Sequence, residues 1–409
     1  MTKAPSPGAI STTDAVAARY AGLFDARPAD GAATGWLSAR RREALDRFLK
    51  NGFPTRATEA FRKLDARAHF AQELPLDAEP ADAARALDAH TWLADGALAA
   101  STLDVRGPLD LLNLALHRGE GVVEIAADRN ETAPIVVVHA PVGPDSEHFP
   151  RTVVVARAGS SAVIVERFDV SGAHRVTSAV DVVVERGATL THVIVHASAR
   201  ATRVFASVRA TVHDGGTLSL HTFALADGLV RQDVDVELAG KDARATLQSL
   251  TLGRGASVCD QRTRVVHAHG HATSRQLVKS VLADESKGVF SGAVVFARGA
   301  EKSDTAQHSK ALLLSPRAEV DHKPELQIFA DDVAASHGST VGQLDDDALF
   351  YLRARGVPHD EARAMLVRAF LDDTIAALPE SVREDARARV EARVASVLGE
   401  QTSSEGSAR

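Results

Sequence analysis

The residues of this chain best equipped for chemistry are His267, His269 and His271, the acidic runs Asp331-Asp332 and Asp345-Asp346-Asp347, the single cysteine Cys259, and His337. Alternate residues of a strand point to one face, so three imidazoles spaced by two could converge on a metal. Gly270 weakens a strand there and no carboxylate lies within the cluster to orient the rings, so the stronger reading is exposed histidines on a β-rich surface. Cys259 follows Val258 in an expected strand and reads as a small buried apolar residue rather than a ligand or redox thiol. The Asp345–Asp347 triplet opens a helical pattern, where acidic side chains complement the helix dipole. The Asp331-Asp332 pair has no equally simple role. His337 stands beside Gly338 in what reads as a polar loop between a β region and a helical one.

Enzymatic motifs are missing around these residues. There is no G-x-x-x-x-G-K-[ST] phosphate loop, no H-E-x-x-H, and no G-x-G-x-x-G between a strand and a helix. Gly338-Ser339-Thr340-Val341-Gly342 looks like a nucleophile elbow, but its hydroxyl is out of register. A sugar-processing β-solenoid would need carboxylates and aromatics along one face, and the chain has two Trp and two Tyr. That enzyme, and a structural or interaction solenoid, are readings that these residues leave open. The net charge of −7 speaks against nucleic acid or an anionic membrane as partner. One cysteine excludes internal disulfides and a cysteine-rich metal site. With Asp14, Asp25 and Asp30 and no apolar stretch of signal-peptide length near the start, a reducing, cytoplasmic setting is expected.

The positioning elements fall into three regions. Helical spacing is read from Asp14 to Phe24 and from Ser38, as N-cap, to Leu49, with Gly52 beyond the end. The stretch Asp77–Asp82, beside Pro75 and Pro80, reads as a connection. Short β-branched runs follow: Val122–Ile125, Ile135–Val138, Thr152–Val155, Ala162–Val165, Val180–Val184, Leu190–Val195, Val204–Val212, Leu218–Phe223 and Val234–Leu238. Gly159, Gly187 and Gly215 are spaced 28 residues apart and Gly240 follows after 25, the near-constant period a stacked β-solenoid needs; a β-sandwich is the alternative. Beyond residue 340, Asp345 caps a helix to Arg355, ended by Gly356. A second helix runs to Ala377, and Val382, Ala386, Val390, Val394 and Leu398 stripe a third. The domains read as an N-terminal helical region (1–105), a β core (106–335), a C-terminal helical domain (336–400) and a disordered tail (401–409).

The text from Lys302 to Leu371 is distinctive: Lys302-Ser303-Asp304-Thr305-Ala306-Gln307, then Lys323-Pro324-Glu325-Leu326-Gln327-Ile328-Phe329-Ala330-Asp331-Asp332-Val333, Ser336-His337-Gly338, Thr340-Val341-Gly342-Gln343-Leu344-Asp345 and Ala348-Leu349-Phe350-Tyr351-Leu352-Arg353-Ala354-Arg355-Gly356. It closely resembles the C-terminal signature of the SufB/SufD family. Leu112-Asn113, Gly288-Val289-Phe290-x-Gly292 and Pro54-Thr55-Arg56 with Glu59 echo it, with Phe61 where the family usually has tryptophan. Gly338 and Gln343 are similar to SufD-type chains, whereas SufB-like chains tend to have glutamate and lysine there.

The resemblance implies a right-handed parallel β-helix (β-solenoid) core with α-helical N-terminal and C-terminal domains. It also implies a SufB-like paralogue and a SufC-like ABC ATPase as partners, the ATPase bound through the C-terminal helices and supplying the missing phosphate loop in trans. Phe350, Tyr351, Leu352, Arg353, Arg355 and Gly356 are the expected ATPase-docking residues, because the apolar side chains of the run from Ala348 to Arg355 exceed what one short helix can hide. The family commonly places a cysteine directly before Ser-His, where this chain has Ala335. His337 is then the residue that this chain offers to a transient iron or iron–sulfur cluster at the SufB-like interface. No cofactor is expected on the chain alone; the resemblance also allows a reduced flavin in the complex and a homodimer when the paralogue is absent.

Overall fold

The computed structural model describes residues 15–26, 35–76, 107–117, 120–141 and 145–399. Among them, strands alternate between a nine-stranded and an eight-stranded sheet, and every pairing is parallel. Strands of the second sheet start at Ser161, Thr189, Thr217, Arg244, Thr273, Asp304 and Ala334, so one coil takes 27 to 31 residues. This is the β-solenoid expected from the glycine spacing. Each predicted β run lies within a strand, and most of these strands extend to ten residues.

The turns explain why the spacing is regular where it involves glycine and why it fades afterwards. One residue per coil has a positive φ at the same corner: Asp128, Gly159, Gly187, Gly215, Asp242, His271, Lys302 and Asp332. Its N–H bonds to the next coil in several turns, as from Gly187 to Asp214 O at 2.9 Å and from His271 to Glu301 O at 3.0 Å. Glycine takes this conformation without steric cost, and Asp tolerates it better than most residues. Asp332 therefore holds a corner of the solenoid, which is the role missing from the sequence reading of Asp331-Asp332.

The lumen is lined by Val, Leu, Ile and Ala, including Val154, Val182, Val208, Val236 and Val265. A few polar groups are buried with them. Glu166 Oε1 accepts from Thr152 Oγ1 at 2.6 Å and meets His139 Nε2 at 2.7 Å, while Oε2 meets His192 Nε2 at 3.0 Å. Burial pushes the Glu166 carboxyl up, but the hydrogen bonds and charge of His139 and His192 more than offset this and hold it below the usual carboxylate range.

An N-terminal module of α1 (Ala15–Asp25), α2 (Gly35–Asn51), α3 (Ala66–Phe70) and α4 (Pro108–Leu116) covers one outer face. Tyr20, Phe48, Phe53 and Phe70 pack there with Phe149 and Phe205 of the solenoid. Asn113 of α4 locks the contact, donating to Pro150 O at 2.9 Å and Thr177 O at 2.7 Å. Two boundaries differ from expectation. Helix α2 starts before Ser38, which lies inside it, and α4 belongs to this module although it lies within the expected core of 106–335. The expected connection at Asp77–Asp82 and the tail at 401–409 lie outside the described residues.

At the other end, the β ladder continues past residue 335. Strand β17 (Ala334–Gly342) pairs with β15 (Asp304–Leu313) from Asp304↔Ala334 to Leu312↔Gly342. The expected helical domain from 336 therefore begins at α5 (Asp346–Ala354), followed by α6 (His359–Ala376) and α7 (Glu380–Leu398). Among the described residues β17 has no partner on its other side, and it is exposed along almost its entire length, so it carries the polar residues of a loop. Helices α6 and α7 lie on the other outer face, where Val367, Leu371, Ile375, Val390 and Val394 meet Val193, Phe223, Leu250 and Leu252.

His267 illustrates the energetics of a polar lumen residue. It is fully buried, stacked on Phe296 with centroids 4.6 Å apart and bonded to Ser274 Oγ at 2.9 Å. Burial pushes its imidazole down to about 4. The folded state therefore favours neutral His267, and its contribution is complete above the ordinary pKa of about 6.5 and lost as pH falls toward 4. The stability advantage of the wild type over His267→Gln, measured by urea unfolding, is expected to shrink by roughly 2–3 kcal/mol between pH 7 and pH 4. An advantage that stays constant or grows on acidification would contradict this account.

Candidate functional site at the open end of the solenoid

The last coil consists of β16 (Glu319–Ile328) and β17, each paired on one side only among the described residues. Pro324, which cannot donate to a ladder, is tolerated in β16 because this is an edge strand. Ile328, Phe329 and Val341 are exposed large apolar residues at this end. Unpaired backbone beside apolar side chains is the surface that β-augmentation uses.

His337 is on β17, not in a loop, and this corrects the sequence reading. It lies opposite Gln307, with Ala335 opposite Thr305 and Ser339 opposite Ser309. Alternation puts Ala335, His337 and Ser339 on the strand face that continues the lumen column of β15. His337 is exposed, and Ala335, two residues before it, presents only a methyl group.

Sequence reasoning missed His322 on β16. Its Nδ1 lies 3.2 Å from Ser309 Oγ, which meets Ser339 Oγ at 2.6 Å, so the imidazole reaches across the lumen toward β15 and β17. Its Nε2 is hidden from solvent without a hydrogen-bond partner. Burial lowers its pKa, against the charge of Asp321. The available signal was alternation: His322 shares its face with Val320, Pro324 and Leu326 once the segment is read as a strand.

Helix α5 leads away from this end. Asp345 caps it, accepting from Asp347 N at 2.9 Å and Ala348 N at 3.1 Å, as the acidic triplet suggested. None of its residues is buried; Phe350 is 74% and Tyr351 57% exposed, and the Arg355 guanidinium lies 4.8 Å from the Tyr351 ring centroid. Leu352 is half-buried, Arg353 is exposed, and Gly356 ends the segment with φ 90°. The N-terminal signature touches the same end through Glu59, which pairs with Lys323 at 2.8 Å, whereas Phe61 is buried farther back, beneath Arg231 at 3.8 Å.

The other candidates separate. His267 points into the lumen, whereas His269 and His271 are exposed at a turn, so the three imidazoles do not converge and one of them is not on the surface. Among the described residues no group of three or more His, Cys, Asp or Glu could hold a metal ion. No described helix is long and apolar enough to cross a membrane.

A parallel solenoid with helical modules on two outer faces and this signature on its last coil defines the class. The family model described as SUF system FeS cluster assembly, SufBD core domain, matches residues 139–370, and the chain belongs to that family. Within it the chain is of the SufD type. It is 31% identical over 293 residues to the iron-sulfur cluster assembly protein SufD of Escherichia coli K12, covering 69% of each chain. It is 27% identical over 294 residues to SufD of Bacillus subtilis 168, covering 70% of this chain and 67% of that one. The chloroplastic protein ABCI7 of Arabidopsis thaliana is 32% identical over 246 residues, 59% of this chain and 52% of that one.

Cys259 is buried, and burial pushes its thiol up to about 12. A reactive thiol needs thiolate character and access, and this one has neither. Ellman's reagent is expected to leave the native chain unmodified over hours and to label one thiol per chain in denaturant. Rapid labelling of the native chain would show that the strand end opens.

Proposed function

We propose that this chain is a non-catalytic scaffold subunit of the SUF iron–sulfur cluster assembly complex. Its open coil pairs with a SufB-like paralogue, and α5 docks a SufC-like ABC ATPase. The reading is carried by the solenoid's open C-terminal end, where two edge strands, exposed apolar residues and His337 lie together. At that interface His337 offers a nitrogen ligand to iron or to a nascent cluster as cargo. Ala335 offers none, so the sulfur ligands come from the partner. Without the paralogue, the same edge accepts a second copy of this chain.

Substituting His337→Ala is expected to leave the complex assembled and to lower the rate of cluster formation at least tenfold, followed by the appearance of cluster absorbance in the reconstituted complex. Unchanged cluster formation would reject the role of His337. For the ATPase dock, removing everything after Leu344 is a poor test, because it would also strip α6 and α7 from Phe223, Leu250 and Leu252. The double variant Phe350→Ala, Tyr351→Ala removes only exposed rings. It is expected to weaken ATPase binding by about 2 kcal/mol or more, roughly thirtyfold, with thermal stability unchanged. Binding at wild-type affinity would place the dock elsewhere.

A further inference from the structure

The open coil presents more than His337. His322 reaches the lumen from the opposite sheet and ends in a solvent-hidden Nε2 without a partner. Gln307, directly opposite His337 in the ladder, has both amide atoms buried and unpartnered. Its position is fixed by a gap in the facing sheet: a side chain at Gly292 would collide with the Gln307 amide and the Phe290 ring. Phe290 in turn lies edge-on to His322, with centroids 6.3 Å apart. The Gln307 amide thus fills the lumen beneath the last coil, and that coil carries one imidazole on each of its two sheets. Buried polar atoms without partners are rare, and the two Gln307 amide atoms and His322 Nε2 at one end of the lumen are a reason to expect a ligand.

We propose that His322 is a second metal-binding residue of this chain, acting with His337 to hold an iron(II)-type divalent cation over Gln307. This rests on the reading of His337 as a ligand at the open end and extends it with a residue on the other sheet. Imidazole nitrogen suits first-row metals of this kind. In the tautomer where His322 Nδ1–H donates to Ser309 Oγ, 3.2 Å away, the Nε2 lone pair is left free for a metal, the arrangement by which outer partners orient metal-bound histidines. Two imidazoles do not complete a coordination sphere, in keeping with the lack of a three-ligand group in the described residues. The remaining positions are open to water or to a second chain.

The test uses the full-length chain, without oxygen, and cobalt(II) as a spectroscopic stand-in for iron(II). The wild type is expected to bind one equivalent, and cobalt to shift two imidazole resonances in the 15N-histidine-labelled protein. His322→Gln and His337→Ala are each expected to weaken binding at least tenfold. The two-imidazole signature of the wild type stands independently of whether the His322→Gln chain folds. If His322→Gln, folded by circular dichroism, binds cobalt as the wild type does while His337→Ala does not, His322 is excluded and the role of His337 survives. A single shifted imidazole, lost in His337→Ala, likewise excludes His322. If the wild type binds no cobalt, the two-imidazole site falls, while the role of His337 at the partner interface stands or falls with cluster formation in the complex.

Discussion

Everything in this chain depends on one constraint: a coil of a parallel solenoid satisfies its backbone and hides its lumen only against the coil before and the coil after. In-register pairing, as between β5 (Ser161–Val170) and β7 (Thr189–Ser198), supplies both at once. Even the corners take part, since the N–H of a left-handed residue reaches a carbonyl one coil away. A stack built this way has ends, and an end cannot satisfy itself. Among the described residues the last coil leaves β16 and β17 with one free edge each, and the family signature is concentrated at that end.

The two outer faces are handled differently from the end. Helices cover them, with aromatic residues on the N-terminal side and aliphatic ones on the C-terminal side. Buried ionic contacts fix both modules. Glu147 joins Tyr20, Arg19 and Arg175 on one side, and Arg393 reaches Asp227, Ala226 O and Leu252 O on the other. Replacing a partner in such contacts strands a charge, so they set the docking geometry more than they add net stability. Helix α5, none of whose residues is buried, is the least covered of the described C-terminal helices.

Much of this was legible in the residues. Glycines at 159, 187 and 215 revealed the period because glycine is the cheapest occupant of a left-handed corner; Asp242, His271, Lys302 and Asp332 hold the same corner and hid it. The helices after Leu344 were readable from Asp345, Gly356 and the valine stripe. Strand β17 was not, because hydrophobic patterning reports burial and this strand is exposed on both faces. For the same reason His337 read as a loop residue and His322 went unnoticed. His267 failed in the opposite sense: histidine is usually a surface residue, and the space beside Phe296 that accepts it exists only when the coils are stacked.

The polarity that disguised the last coil has a use of its own. A long open edge rich in valine would be a template for any extended segment in the cell, including unfolded copies of this same chain. Here β17 carries Ser336, His337, Ser339 and Thr340, and β16 is interrupted by Lys323 and Pro324. A strand meeting this edge finds a missing donor, a charge and few side chains to zip against. The open end thereby discourages indiscriminate pairing while leaving Phe329 exposed beside it.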